Sequence, residues 1–350
     1  MNTIVVLWSR NISKHINTDN AQKFHHVSNI MSWVNNTIIP YVVQNAPHLK
    51  WNDAFNAIIV LPEYYFSRTR QHSYQRKAMG EEAKDIVLQQ LLQYSRYFPK
   101  ILLLPGTIAF KKSLVRPPNK TIQQSTRQRK SQSRLQKASS YLLSSPDDTK
   151  ITSNYPFGSP YSPASSTLTP REKLQRLDQL GENAYIYKNQ ACVIQNGQIL
   201  FKYNKRKDYF ETYGSSNEIH APDVNRSASK TIHGIDFGLE ICFDHAQRSL
   251  VEDITYENRM AQHLAAHGYA PQPTMTSTPQ IHIVVSDWAS NSASPVREGG
   301  FFIHASSNNT QTCVKLKKHG TLVDHEPGRL AKIAECWVDG DPLHAYLIDI

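Results

Sequence analysis

No apolar run in the 350 residues approaches the ~20 that a membrane-spanning helix needs, so the sequence predicts no membrane span. The opening MNTIVVLWSRNISKH has an apolar patch of only six residues, no basic lead and no small-residue cleavage site. It reads as a first strand rather than a secretory leader. Cysteine is scarce. Cys192, Cys242, Cys313 and Cys336 stand far apart with no CxxC pair, the pattern of reduced thiols in a cytoplasmic setting. The chain also lacks a G-x-S-x-G elbow, a Walker phosphate loop and a G-x-G-x-x-G fingerprint. Those absences set aside the elbow-type serine hydrolases, P-loop nucleotide chemistry and dinucleotide binding. Acidic residues are missing from one region in particular. Residues 111–173 hold twelve Lys or Arg against Asp147, Asp148 and Glu172, so +9 of the formal +10 belongs to that segment. The body of the chain is close to neutral, and its basicity says little about partners.

Against these absences, 39% hydrophobic residues provide a substantial core. TIVVLW (3–8), NAIIVLPEYYF (56–66) and KILLLPGTIAF (100–110) read as buried strands, continuous because both faces are covered. Between them lie helical patterns at about 20–44, where Ile30, Val34, Ile38 and Val42 recur at four-residue steps, and at 81–98, with Ile86, Leu88, Leu91, Leu92 and Tyr94 at its centre. Strand and helix in alternation predict an α/β sandwich. From about 111 to 180 the chain turns Ser-, Gln-, Pro- and Arg-rich, with too few apolar residues to offset the entropy of ordering. The expectation is a long flexible basic insertion inside a single domain spanning 1–350. Strands resume at 184–207, where Asn-Gly in IQNGQI marks a hairpin. A strand at 231–243, a helix around 246–266, strands at 281–288 and near GFFIHASSN, and two closing strands complete the reading.

Three places carry chemistry. In TIHGIDFGLEICF, Ile235, Phe237, Leu239 and Ile241 alternate with Asp236, Gly238, Glu240 and Cys242, which places Cys242 off the apolar stripe, where an inert core cysteine does not belong. Glu63 follows IIVLP directly, at the carboxyl end of its strand, the edge where α/β sheets gather ligands and catalytic groups. YNKRKDY at 203–209 again follows a strand. Singly, each has a plain reading: a buried thiol, a surface carboxylate, a solvated basic end.

Together, LPE at 61–63, YNK at 203–205 and GLEICFD at 238–244 resemble the carbon–nitrogen hydrolase (nitrilase-like) superfamily. The order Glu, Lys, Cys matches, as do PGT at 105–107, the hairpin NQACVIQNGQI and SDW at 286–288. The resemblance spans the chain outside the insertion. It implies a four-layer αββα sandwich and a Glu63–Lys205–Cys242 triad, with the backbone N–H of Phe243 assisting at the oxyanion. A second glutamate of that family supports the lysine; Glu211 and Glu218 are the candidates, Glu211 being nearer Lys205. Tyr64, Tyr65, Asp287 and Trp288 are the expected pocket residues. Where the family often has an arginine two residues after the aspartate, this chain has Ala246, with Arg248 further on, and residues 253–280 look expanded.

The residue types suit cleavage of an amide, nitrile or carbamoyl carbon–nitrogen bond. A free thiol has a pKa of ~8.5 and is mostly protonated at neutral pH, so it needs a base. Glu63 would take the thiol proton, return it to the departing amine and then activate water against the thioester, given a pocket dry enough to raise its pKa. Lys205 would face the oxyanion, with Lys207 as a rival. No metal or cofactor is expected, the partner is a small amide or nitrile, and a homodimer is reasonable.

The same sequence also holds residues suited to other chemistry. His263 and His267 share a helical face, yet Leu264 stands where a zinc protease has glutamate. A Cys–His pair could draw on His245, His282 or His304, although Asp244 and His245 follow Cys242 too closely in sequence to be persuasive. From a different class, the chain could be a non-catalytic binding module whose arm RQRKSQSRLQK engages nucleic acid or another anionic partner, but it lacks interleaved aromatics for base stacking.

Overall fold

The computed structural model describes residues 1–11, 19–69, 76–113, 185–206, 218–220, 227–266, 278–287, 289 and 294–350. The expected insertion from residue 114 onward, Lys207, Glu211, His267 and Trp288 lie outside these residues. Contacts divide the chain into two compact units. One comprises Met1–Phe110, Asn189–Tyr209 and Asp223–Ile350; the other comprises Lys111–Lys188 and Phe210–Pro222.

The first unit is α/β with two main sheets. Strand β1 (Asn2–Trp8) is followed by α1 (Asn20–Trp33), a π-type turn at Val34–Ile38 and α2 (Ile39–Asn45). The sequence predicts one helix here, and the anticipated stripe Ile30, Val34, Ile38 and Val42 is indeed buried. The break comes at Pro40, in the first turn of α2: its missing N–H and its ring disrupt the regular pattern, and the chain widens just ahead of it. After β2 (Ala57–Val60), β3 (Arg68–Thr69) and β4 (Arg76–Lys77) form a small separate ribbon, and β5 (Met79–Gly80) leads into α3 (Glu81–Arg96). Glu81 and Glu82 in its first turn and Arg96 in its last suit the helix dipole. Its buried face is Val87, Leu88, Leu91 and Ser95, whereas Ile86 is 52% exposed, so the face lies rotated from the cluster expected from sequence.

The expected strand at 100–110 is two strands, β6 (Ile101–Leu104) and β7 (Thr107–Ser113), separated by Pro105-Gly106. The hairpin β8 (Tyr185–Gln195) and β9 (Gln198–Asn204) turns at Asn196-Gly197, both with positive φ. In the second unit, β10 (Glu218–His220) runs parallel to the start of β8. There Lys111 Nζ donates to Glu218 Oε1 at 3.1 Å and sits 4.5 Å from the Tyr185 ring.

The expected strand at 231–243 is likewise a hairpin. β11 (Ser229–Ile232) pairs antiparallel with β12 (Ile235–Ile241) across His233-Gly234, which have positive φ. A four-residue helix α4 (Phe243–Ala246) and the long α5 (Ser249–Ala266) follow, then β13 (Ile281–Ser286), β14 (Phe301–Ser306), β15 (Cys313–Lys318), β16 (Thr321–Val323), β17 (Leu330–Val338) and β18 (Asp341–Asp349). One sheet contains the order β17-β18-β1-β2-β6-β8, with β9 on β8; the other is β11-β12-β13-β14-β15-β16. Alternate residues of both enter one apolar core, Val5, Leu7, Ile58, Val60, Leu102 and Leu104 from the first, Phe237, Leu239, Ile241, Ile283 and Val285 from the second. Period-two alternation thus leaves the opposite faces of β1 and β2 for other layers. Among the described residues no helix is long and apolar enough to cross a membrane, and all four cysteines are free thiols.

Candidate active site

The site is built where strands end. β2 and β6 are parallel neighbours, pairing Val60 with Leu104, so LPE and PGT leave the sheet side by side. A Cβ on Gly106 would lie 2.1 Å from Pro62 O, and the backbone there has φ +75, so only glycine fits that approach. Next to it Thr107 Oγ1 accepts the Tyr64 N–H at 2.8 Å, and Tyr64 itself has φ 59. These contacts fix the turn that presents Glu63.

Glu63 is 0% exposed, and three donors from distant strands converge on it. Lys205 Nζ donates to Oε1 at 2.9 Å, Asn189 Nδ2 donates to Oε1 at 2.8 Å, and the Asp287 N–H donates to Oε2 at 3.1 Å. Lys205 is 1% exposed and follows the end of β9, its own N–H donating to Asn189 O at 2.8 Å. The Asp287 carbonyl accepts from Ser307 Oγ at 2.7 Å, and the Asp287 carboxylate also bonds Ser307 Oγ, which aims the Asp287 N–H at Glu63. Taking two opposite charges out of water costs several kcal/mol per ion, which their attraction offsets only when the geometry is good and further hydrogen bonds complete it. Here both conditions hold.

Cys242 stands just past β12 with φ 44 and ψ −101, a sparsely populated conformation for a non-glycine residue. The pleat therefore stops one residue short of it. Its position is set by the turn, not by the alternation read from the sequence, and it packs half-buried beside the shared core. Two sets of bonds link this turn to segments that adjoin the Glu63–Lys205 pair. The Cys242 N–H donates to Val285 O at 2.9 Å, two residues before the Asp287 whose N–H holds Glu63. On the other side, buried Asp244 accepts the Tyr203 hydroxyl at 2.7 Å and the Arg206 N–H at 2.9 Å, so the residues flanking Lys205 are tied to the one two past Cys242. Burial, reinforced by Asp244, pushes the Tyr203 phenol well above its usual range and keeps it a donor. Arg206 also binds Asp253 of α5 through two bonds of 2.7 and 2.8 Å.

Of the expected pocket residues, Tyr64 lies beside the pair, its ring centroid 5.7 Å from Lys205 Nζ. Tyr65 is packed against Trp8 and Phe66, with its hydroxyl donating to Lys23 O at 3.1 Å. The Phe243 backbone opens α4. Sequence reasoning assigned no role to Asn189, Tyr203, Arg206 or Asp244. Asn189 and Asp244 stand within the quoted stretches NQACVIQNGQI and GLEICFD, but their bonding to residues far along the chain leaves no periodic trace.

Behind the Cys242 turn is a buried polar cluster. Glu240 Oε2 lies 2.8 Å from His245 Nδ1 and 3.1 Å from His282 Nε2, and Oε1 accepts the Leu250 N–H at 2.7 Å. His282 Nδ1 meets Ser294 Oγ at 2.7 Å, and His304 Nε2 meets Ser286 Oγ at 2.7 Å. Two histidines and a glutamate are donors a divalent metal accepts. Tetrahedral ligands at zinc distances stand about 3.4 Å apart, however, and 2.8 Å is a hydrogen-bond length. The cluster therefore fits a hydrogen-bonded network better than a metal.

Burial holds His304 neutral, its pKa lowered from 6.5 to about 3, with His245 and His282 acting in the same direction. A depressed folded-state pKa gives stability that is present above the unfolded value and lost as pH falls below it. At pH 5 His304 should have lost about 2 kcal/mol relative to pH 7, from 1.36 kcal/mol per unit between 6.5 and 5. Urea unfolding at the two pH values should show this loss, and His304→Gln should reduce it by about that amount. An unchanged pH difference in that variant would contradict the assignment.

Solved structures similar to this chain include a carbon–nitrogen hydrolase from Helicobacter pylori G27, at 10% identity and TM-score 0.41, covering 100% of this chain and 90% of that one. They also include two glutamine-dependent NAD(+) synthetases. The one from Acinetobacter baumannii, solved with ADP, has 10% identity, TM-score 0.35 and coverage of 82% of this chain. The one from Cytophaga hutchinsonii has 9% identity, TM-score 0.40 and coverage of 92%. The chain spans 33% and 40% of the lengths of those two synthetases. No protein-family profile and no curated protein sequence matches the chain.

Proposed function

We propose that the chain is a hydrolase of non-peptide carbon–nitrogen bonds, acting on an amide, or on a nitrile or carbamoyl group, through a thioester on Cys242. The observation that carries this reading is the buried Glu63–Lys205 pair at strand ends, tied from two sides to the turn bearing Cys242. Apolar residues of similar volume often replace a buried ion pair with no loss of stability, so packing alone gives little reason for it.

In this reading Glu63 accepts the thiol proton as Sγ attacks the substrate carbonyl carbon. The carbonyl π electrons move onto oxygen, and that oxyanion faces the Lys205 ammonium and the Phe243 N–H. Glu63 then donates its proton to the leaving nitrogen as the carbon–nitrogen bond breaks, which leaves the acyl thioester. Water, deprotonated by Glu63, adds to the thioester, and the thiol is re-formed as the acid departs. Asn189 and the Asp287 N–H keep the carboxylate aimed throughout. The two sheets sharing one core suit a four-layer αββα arrangement in a single hydrolase domain carrying its basic segment as an insertion. The substrate partner is then a small amide or nitrile; an anionic macromolecule at the basic segment and a homodimer are secondary parts of the proposal.

The test is ammonia release across amides, nitriles and ureido compounds. At least one class should be turned over. For that substrate, Glu63→Gln should lower kcat by roughly 10²–10⁴-fold with KM little changed, and remove one limb of the pH–rate profile. A folded protein that releases ammonia from none of the three classes contradicts the proposal. So does a Glu63→Gln variant with kcat near wild type.

A further inference from the structure

We infer that Glu240 and His245 are positioning residues, a clamp that holds Cys242 at its attacking angle; this rests on the hydrolase reading above. Glu240 lies two residues before Cys242 on β12, and His245 lies three residues after it in α4. The two side chains meet behind the turn at 2.8 Å and are each 1% exposed.

The bonding accounts for most of what the turn needs. Cys242 has a backbone conformation that persists only when its surroundings over-determine it. Its carbonyl accepts the His245 N–H at 3.0 Å, so fixing the His245 ring fixes the whole turn. Glu240 does the fixing at both ends. Its Oε2 faces His245 Nδ1, while its Oε1 accepts the Leu250 N–H at 2.7 Å, in the first turn of the 18-residue helix α5. A carboxylate there also suits the positive end of the helix dipole.

The charge state is consistent with a fixed anion. Burial alone would raise the Glu240 carboxyl, but the His245 hydrogen bond, with His282 beside the same oxygen, outweighs it and holds the group well below its ordinary 4.5. An ionised carboxylate only accepts, so the His245 nitrogen facing it carries the proton. His282 Nε2 backs the same oxygen at 3.1 Å, off the line of a good hydrogen bond, with Nδ1 bonded to Ser294 Oγ. The Phe302 ring stacks on His245 with centroids 5.5 Å apart and stops the imidazole from swinging away. None of these groups takes part in the proton transfers assigned to Glu63.

Two substitutions at His245 separate positioning from plain structural support. His245→Leu removes the donor, whereas His245→Asn puts an amide N–H close to where Nδ1 stood. With the amide found by the ammonia screen, His245→Leu should lower kcat by up to about 100-fold with KM within a few-fold of wild type, because small misplacements of a nucleophile have effects of that size. His245→Asn should recover most of that loss. Hydrogen exchange needs no substrate: the amides of residues 242–250 should exchange faster in His245→Leu than in His245→Asn. Should His245→Leu not fold, Glu240→Gln carries the same test with the side-chain shape kept, and its kcat should fall by roughly tenfold or more. Folded His245→Leu or Glu240→Gln protein with kcat within twofold of wild type overturns the inference. Equal loss in His245→Leu and His245→Asn overturns it too. Absence of turnover in the wild type would instead remove the hydrolase reading, leaving the exchange result to judge the clamp.

Discussion

Cys242→Ala should abolish turnover, by a factor on the order of 10⁶, while leaving the fold intact. The other three thiols are buried or raised in pKa, Cys336 by burial. Cys192 is buried in β8, and burial pushes the Cys313 thiol up to about 12. The stability effect should be small, since the Cys242 thiol is only half-buried and alanine removes a single sulfur from the edge of the core. The two halves of this expectation are read separately, by ammonia release and by urea unfolding. Residual turnover near wild type would mean that the thiol is a bystander. Unfolding of the variant would mean that its main role is to hold the turn.

Lys205→Met should act on both stability and rate. Glu63 has no exposure through which water could replace the lost ammonium. Removing one partner of a buried pair leaves an uncompensated charge, at a typical cost of about 3–5 kcal/mol. Asn189 and the Asp287 N–H remain on the carboxylate and should keep the cost toward the lower end of that range. If Lys205 also faces the oxyanion, kcat should fall by roughly 10²–10³-fold in whatever protein remains folded. The double variant Glu63→Gln with Lys205→Met discriminates further. With both charges gone, the urea midpoint should return most of the way to wild type, while activity stays lost. Recovery of activity together with stability would show that the pair is structural.

Much of the large-scale arrangement was legible because it rests on short-range patterns. Buried strands such as IIV and ILLL betray themselves by continuous hydrophobicity, and Asn196-Gly197 by the positive φ its turn needs. The breaks were harder to read. Pro105-Gly106 and His233-Gly234 each divide what looked like one strand, since an apolar run on both sides of a turn resembles an uninterrupted run. Pro40 was visible, but the four-residue stripe continued through it, and only the backbone shows the widened turn between α1 and α2. Strands β15 and β16 are not legible in the sequence, because CVKLKK and TLV are short and mixed in polarity.

The site divides in the same way. Glu63, Lys205 and Cys242 could be singled out because each follows a strand, so the carboxyl edge of a sheet supplies the rule. Residues that bond across 40 to 140 positions obey no such rule. Asn189 reaches Glu63 and Tyr203 reaches Asp244, and each reads in sequence as an ordinary polar residue of a strand. Glu240 bonds only five and ten positions on, to His245 and Leu250, across a turn that the pleat does not announce. Cys242 shows the limit most clearly. Alternation along β12 does set Glu240 off the apolar stripe, but the turn at residue 242 departs from the pleat, and the direction of the thiol comes from bonds to Val285 and His245.

Acid-quenching a single turnover of the best amide over a series of times, then mapping the peptides by mass, reads the thioester itself. An acyl adduct is expected on the peptide containing Cys242, rising and decaying as ammonia and then acid appear. Full turnover with Cys242 unmodified at every time, or an adduct on another residue, would contradict a thioester on Cys242.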